Sequence, residues 1–179
     1  MASAERIIGY TVEDIYNLPE GQRAELIEGE LYMMAPPNRR HQEIVARFTQ
    51  IIANHIDKNG GKCKVYPAPF AVFLTGNNKN YVEPDISVIC DKDKLSDRGC
   101  EGAPDWVIEI VSPASRRMDY QTKLLKYANS GVREYWILDM EKDRVTVHNF
   151  EKSEMTEYSF ADTVKAGIHE DLEIDFKEM

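Results

Sequence analysis

YVEPDISVIC, residues 81–90, sets a carboxylate inside an otherwise apolar run. DWVIEIVS, residues 105–112, does the same further along. Asp85 and Glu109 stand where a β-strand favours Val or Ile. An ionised carboxylate withdrawn from water is costly unless it is paired, hydrogen-bonded or bound to a metal. The two stretches therefore read as strands of a buried sheet, and the two acids as groups that hold something.

The local pattern places them. Pro84 has no N–H to give to a ladder, so it belongs at a strand start or an edge. Asp85 is then the first or second residue of a strand whose remainder, through Cys90, is core. In the second strand Trp106, Ile108 and Ile110 face one way and Val107, Glu109 and Val111 the other. Neighbouring strands lie about 4.8 Å apart, so carboxylates at matching height can share one ion. Mg²⁺ takes one or two carboxylates plus waters and phosphate oxygens. Asp105 is a rival for Asp85, but four residues of strand separate it from Glu109 by about 13 Å, too far for one ion.

Outward from these strands the chain alternates helices and strands. TVEDIYNLPEG begins with Thr11 and Asp14 in a capping-box pattern, and a short helix should stop before Pro19. AELIEGELYMM reads as two short strands about a tight turn at Glu28-Gly29. From Asn38 to Lys58 the period is helical, with Ile44, Val45, Phe48, Ile51, Ile52 and Ile56 on one stripe. CKVYPAPFAVFLT reads as a strand pair or one bent strand, broken near Pro67 and Pro69. DKDKLSDRGCEGAP reads as a polar loop. A second helix is expected from about Arg117 to Asn129, closed at Gly131. REYWILD and RVTVHNF are strands, and the tail adds edge strands. The expected class is α/β (α+β): a mixed β-sheet flanked by helices, with an N-terminal hairpin and C-terminal edge strands, as one domain over residues 1–179.

Bulk properties narrow the function. The 179 residues suffice for one domain with a real core. No apolar run approaches the roughly 20 residues of a membrane span. MASAERIIGYTVED has no apolar core of signal-peptide type, so a cytoplasmic protein is expected. The net charge of −9 argues against coating nucleic acid by general attraction. It leaves room for a nuclease whose acidic site awaits a divalent metal. Cys63, Cys90 and Cys100 are widely spaced and odd in number, so reduced thiols are expected, with no zinc-ligand spacing evident.

DYQTKLLKY puts Asp119, Lys123 and Tyr127 on one helix face. On spacing alone, Asp119 and Lys123 form a solvent-exposed i,i+4 ion pair. The alternative points Lys123 at the acids, where an ammonium can stabilise developing charge.

ELIEGELYMM, PPNRRHQEI, VEPDISVI, GAPDWVIEIVSPAS and DYQTKLLKYANSGVREYWILD together resemble the Uma-two-type restriction endonuclease family, over nearly the whole chain from about residue 10. That family is similar to the PD-(D/E)xK nuclease superfamily, with its restriction-endonuclease-like sheet flanked by helices. The resemblance implies that Pro84-Asp85 is the PD and Glu109 the acid, both binding Mg²⁺ or Mn²⁺. The ExK lysine would fall at position 111, which is Val111. Related proteins supply the lysine from the following helix, and Lys123 is the candidate. Glu30 and His41 become outer contributors by the same resemblance.

Other residues have plainer readings. Glu28 belongs to a solvated turn. Arg39, Arg40, Arg116 and Arg117 are either solvated surface or phosphate contacts. Ser112 is a cap or turn residue without a nucleophile's context. Three functional readings follow: a metal-dependent endonuclease acting on DNA, a non-catalytic binding module on the same fold, or a buried structural network of Asp85, Glu109 and Lys123. A homodimer suits the first, since cutting both strands takes two sites.

Overall fold

Six strands form the mixed sheet that carries both acids. The computed structural model describes residues 9–178, except for the side chain of Glu178. The expectation of no signal-type core rests partly on residues 1–8, which lie outside the described residues. Along the chain the elements begin with α1 (Val12–Tyr16), β1 (Ala24–Ile27), β2 (Glu30–Met33), α2 (Arg39–Lys58), β3 (Lys64–Pro67) and β4 (Val72–Phe73). They continue with β5 (Ile86–Ile89), β6 (Leu95–Ser96), β7 (Gly99–Glu101) and β8 (Trp106–Ile110). A π-helical segment (Met118–Lys123) runs into α3 (Leu124–Ser130). Then come β9 (Glu134–Asp139), β10 (Arg144–Asn149), β11 (Glu154–Tyr158), β12 (Thr163–Lys165) and β13 (Glu173–Asp175).

The helix starts follow from their caps. Thr11 N–H donates to Asp14 Oδ2 at 2.7 Å. Asn38 Oδ1 accepts from His41 N–H at 2.9 Å, satisfying one of the orphan donors of α2. α2 buries Ile44, Val45, Phe48, Ile52 and Ile56, the predicted stripe, with Ile51 half-buried beside it. The β1–β2 turn sits at Glu28 and Gly29, both left-handed (φ 51° and 78°), as a tight right-twisting hairpin requires.

The sheet order is β11-β10-β9-β8-β5-β3. β8 and β9 run parallel, and every other pair is antiparallel. A parallel pair needs a crossover, which the π segment and α3 supply. β5, β8 and β9 are buried along their whole length, which explains their near-continuous apolar sequence. α2 covers one face, where Phe48, Trp106 and Trp136 pack edge to face. Tyr127 of α3, Ile27 of the hairpin and Val72 of β4 cover the other, against Val107, Tyr135 and Ile137.

Four expectations are corrected. The segment after Cys63 is two strands in different sheets: β3 joins the main sheet, and β4 joins β6 and β7 from the stretch read as a loop. These strands have two or three residues, too short to show a period. In the tail only β11 is an edge of the main sheet; β12 and β13 pair with each other. Their Val164 and Ile174 pack with Leu172 and Phe176 on the α2 side of the core. The second helix starts as a π segment. Finally, Cys63 and Cys90 are joined as a disulfide, because β3–β5 pairing sets distant residues side by side. Among the described residues no helix is long and apolar enough to cross a membrane.

Candidate active site

The β5–β8 register decides where the acids meet. Ile86 pairs with Ile108, so the next rung sets Asp85 against Glu109. Asp85 lies just ahead of β5 rather than inside it. Its Oδ2 accepts from Ile110 N–H at 2.7 Å, which clamps the carboxylate to β8. Its own N–H reaches Glu109 Oε2 at 3.4 Å. The Asp85 side chain keeps 16% exposure and that of Glu109 only 5%. Asp85 is thus the open member of the pair.

Lys123 comes from the opposite direction. In a π turn the helix widens by one residue, a distortion frequent at functional sites. Lys123 ends that turn, buried, with its Nζ 2.8 Å from Glu109 Oε1 and 2.8 Å from Glu25 Oε2. Asp119 Oδ1 lies further off, at 3.9 Å. Tyr127, one turn on, donates its hydroxyl to Glu109 Oε1 at 2.8 Å. Glu25 Oε1 in turn accepts from Glu83 N–H at 2.9 Å. The expected solvent-exposed Asp119–Lys123 pair is therefore overturned, since both side chains are buried. Val111 fills the in-register position as a buried core residue.

The electrostatics follow from crowding in a dry site. Burial opposes the Lys123 ammonium, but Glu109, Glu25 and Asp119 outweigh it and hold its pKa well above the usual lysine range. Burial raises Glu109 well above an ordinary carboxyl, against the pull of Lys123. Burial likewise pushes Asp119 up to about 6, against the pull of Lys123 and a Ser115 hydrogen bond. Burial also raises Tyr127 well above its usual value, and Glu109 adds to it, so the phenol stays a donor. Four carboxylates around one lysine leave the site short of positive charge.

His41 and Glu30 can now be placed. His41 Nε2 lies 3.1 Å from Asp85 Oδ2, bringing the start of α2 to the open acid. Burial disfavours its cation, yet the Asp85 hydrogen bond and charge prevail and raise its pKa. Glu30 pairs across the hairpin with Ile27, half-buried. The hairpin acid that reaches Lys123 is Glu25, which sequence reasoning missed. Its signal was present: Glu25 lies inside AELI, a strand buried throughout, the same pattern that marked Asp85 and Glu109.

The remaining candidates have structural partners. Asp105 accepts from Cys90 N–H at 2.7 Å and pairs with Arg133, at the far end of β8. Arg116 makes two bonds to Asp139, at 2.9 and 3.0 Å, and one to Glu141. Arg39 pairs with Glu43. Ser112 forms a local turn with Ser115, as expected. Glu28 at the hairpin tip pairs with Lys126.

The donors suit a hard divalent cation. Asp85 Oδ1 accepts no hydrogen bond among the described residues, and Glu109 Oε2 has only the long one from Asp85 N–H. Both are carboxylate oxygens of residues facing each other on one rung, the ligand type that Mg²⁺ and Mn²⁺ prefer. A further cation would also offset the excess acid.

Comparisons with known proteins agree with this architecture. The chain is 27% identical over 117 residues to the uncharacterized protein slr1290 of Synechocystis sp., covering 65% of this chain. It spans 60% of that relative's length. The crystal structure of a protein described as a "putative nuclease belonging to DUF820", from Anabaena variabilis, superposes with a TM-score of 0.76. The two are 21% identical, with 95% of this chain and 97% of that chain covered, so the likeness establishes a shared fold. Residues 12–176 match a family model described as "Uma2: Putative restriction endonuclease", so the chain belongs to that family.

Proposed function

We propose that the protein is a divalent-metal-dependent endonuclease that hydrolyses phosphodiester bonds of DNA. The observation that carries this reading is the meeting of Lys123 with Glu109, directly opposite Asp85. A lysine absent from its in-register place has been delivered by a helix to the same acid.

Asp85 and Glu109 would hold Mg²⁺ or Mn²⁺. When bound there, such an ion polarises a phosphodiester and acidifies a coordinated water. Lys123 opposes the burial that favours protonation of Glu109 and would supply fixed positive charge beside the developing phosphorane. Tyr127 locks the Glu109 rotamer, and His41 together with Ile110 N–H orients Asp85. Water oxygen bonds to phosphorus, one P–O bond breaks, and the leaving alkoxide takes a proton from solvent. A homodimer would present two such sites to a duplex.

A second reading has its own observation. Lys123 is shared equally by Glu25 and Glu109, as in a structural ion network, so the fold could serve as a non-catalytic binding module. Incubation with supercoiled, linear and single-stranded DNA separates the two, with Mg²⁺ or Mn²⁺ against EDTA and Asp85→Ala. Metal-dependent cutting lost in the variant supports the nuclease. Metal binding without cutting on any substrate supports the module.

A further inference from the structure

At the other end of the sheet lies a second constellation, independent of the acids. Cys63 and Cys90 sit one rung beyond the Lys64–Ile89 pair, at the opposite end of β5 from Asp85. Five residues of strand put them about 16 Å from the acids. Ligand atoms of Cys63, Cys90 and His169 all lie within 4.8 Å of one another. His169 belongs to the turn between β12 and β13, where its carbonyl accepts from Leu172 N–H at 2.8 Å. Three separate parts of the chain converge here, so no ligand spacing was visible along the sequence.

Two observations set this cluster apart from an ordinary cross-strand disulfide. His169 Nε2 is buried and has no hydrogen-bond partner among the described residues. Buried ring nitrogens are normally satisfied, so this one asks for a ligand. The ring of His55, from the last turn of α2, meets that of His169 edge to face, with centroids 5.5 Å apart. Two thiols and one imidazole converging, with a second imidazole against the first, are a donor set suited to zinc.

We propose that Cys63, Cys90 and His169 form a Zn²⁺ site, with His55 as the fourth ligand, and that the Cys63–Cys90 disulfide is its oxidised, metal-free state. Two sulfurs on one zinc stand at most about 4.6 Å apart, within reach of this cluster. Oxidation by a small-molecule disulfide balances directly. The two thiolates give two electrons to RSSR, the Cys63–Cys90 bond forms, the RS–SR bond breaks, and two RS⁻ and the Zn²⁺ leave. The site would tie α2, the sheet and the C-terminal hairpin together only when reduced and loaded.

The test uses reduced full-length protein titrated with Co²⁺ and then Zn²⁺. The expected result is an intense thiolate-to-cobalt band with tetrahedral visible bands, both displaced by zinc. Cys90→Ser abolishes the thiolate band. His169→Ala, a turn substitution that reports even where the serine variant does not fold, weakens cobalt binding by about tenfold or more. Asp85→Ala leaves the band unchanged, which separates this ion from one at the acids. Oxidised glutathione releases the zinc and lowers the free thiols from three to one, Cys100. The proposal is overturned if the reduced protein gives no thiolate band. It is equally overturned if His169→Ala binds cobalt as tightly as the parent.

Discussion

Lys123 Nζ lies 2.8 Å from Glu109 Oε1, although the residues are 14 apart and belong to a helix and a strand. Both side chains are 5% exposed, so neither charge has water to fall back on. Removing one partner of such a pair leaves the other buried and uncompensated.

Lys123→Met should therefore destabilise the protein by about 3–5 kcal/mol at pH 8, measured by urea unfolding. Adding Glu109→Gln should recover part of that loss, because it removes the stranded charge. A loss under about 1 kcal/mol would show the pair to be no stronger than a surface one.

Asp85→Asn should keep the Ile110 N–H bond, since the amide oxygen can still accept it. Stability should shift by less than about 1 kcal/mol, while cleavage falls by about 100-fold or more. The rise in melting temperature on adding Mg²⁺ or Mn²⁺ should vanish in the same variant. An unchanged metal shift would place the ion elsewhere.

His41 offers a pH readout. Its pKa is raised above 6.5 by Asp85, despite burial. The stabilisation from this pair is fully present below 6.5 and is lost as pH rises through the folded value. Proton NMR titration of the His41 ring should show its midpoint fall in Asp85→Asn. A midpoint that stays put would mean the two side chains do not meet in solution.

Asp119 changes stability with pH in the same direction, but its cause is burial of the charge rather than a gained partner. Its folded pKa of about 6 exceeds the ordinary 3.8. Its contribution is most favourable below 3.8 and declines as pH rises toward 6. Asp119→Asn should flatten the stability profile across that window in pH-dependent urea melts. A profile with the same slope would put the proton on another group.

The sequence made much of this site legible because buried charge is conspicuous. An acid within a run of Val and Ile can be read without knowing the fold, which is how Asp85 and Glu109 emerged. Glu25 carried the same mark, but its strand is only four residues long and ended in an acid-rich turn that suggested solvent. The i,i+4 spacing of Asp119 and Lys123 was misleading on its own, because a helix face shows which residues point together and not what lies opposite. Only the resemblance turned Lys123 inward. The zinc-type cluster was illegible for a different reason: its ligands come from strand pairing and a distant turn, and linear spacing carries no trace of either. The short strands β6 and β7 escaped because two or three residues cannot establish a period.

The placement of the lysine also orders events during synthesis. Glu25, Asp85 and Glu109 emerge before Lys123, and β9, the parallel neighbour of β8, follows it. A nascent chain ending at the loop after β8 has three of the acids, lacks their cation and has an open edge at the centre of its sheet. The site is therefore complete only once the helix carrying Lys123 docks and β9 closes the edge. The hairpin made first thus waits for the helix made late before Glu25 gains its contact with Lys123.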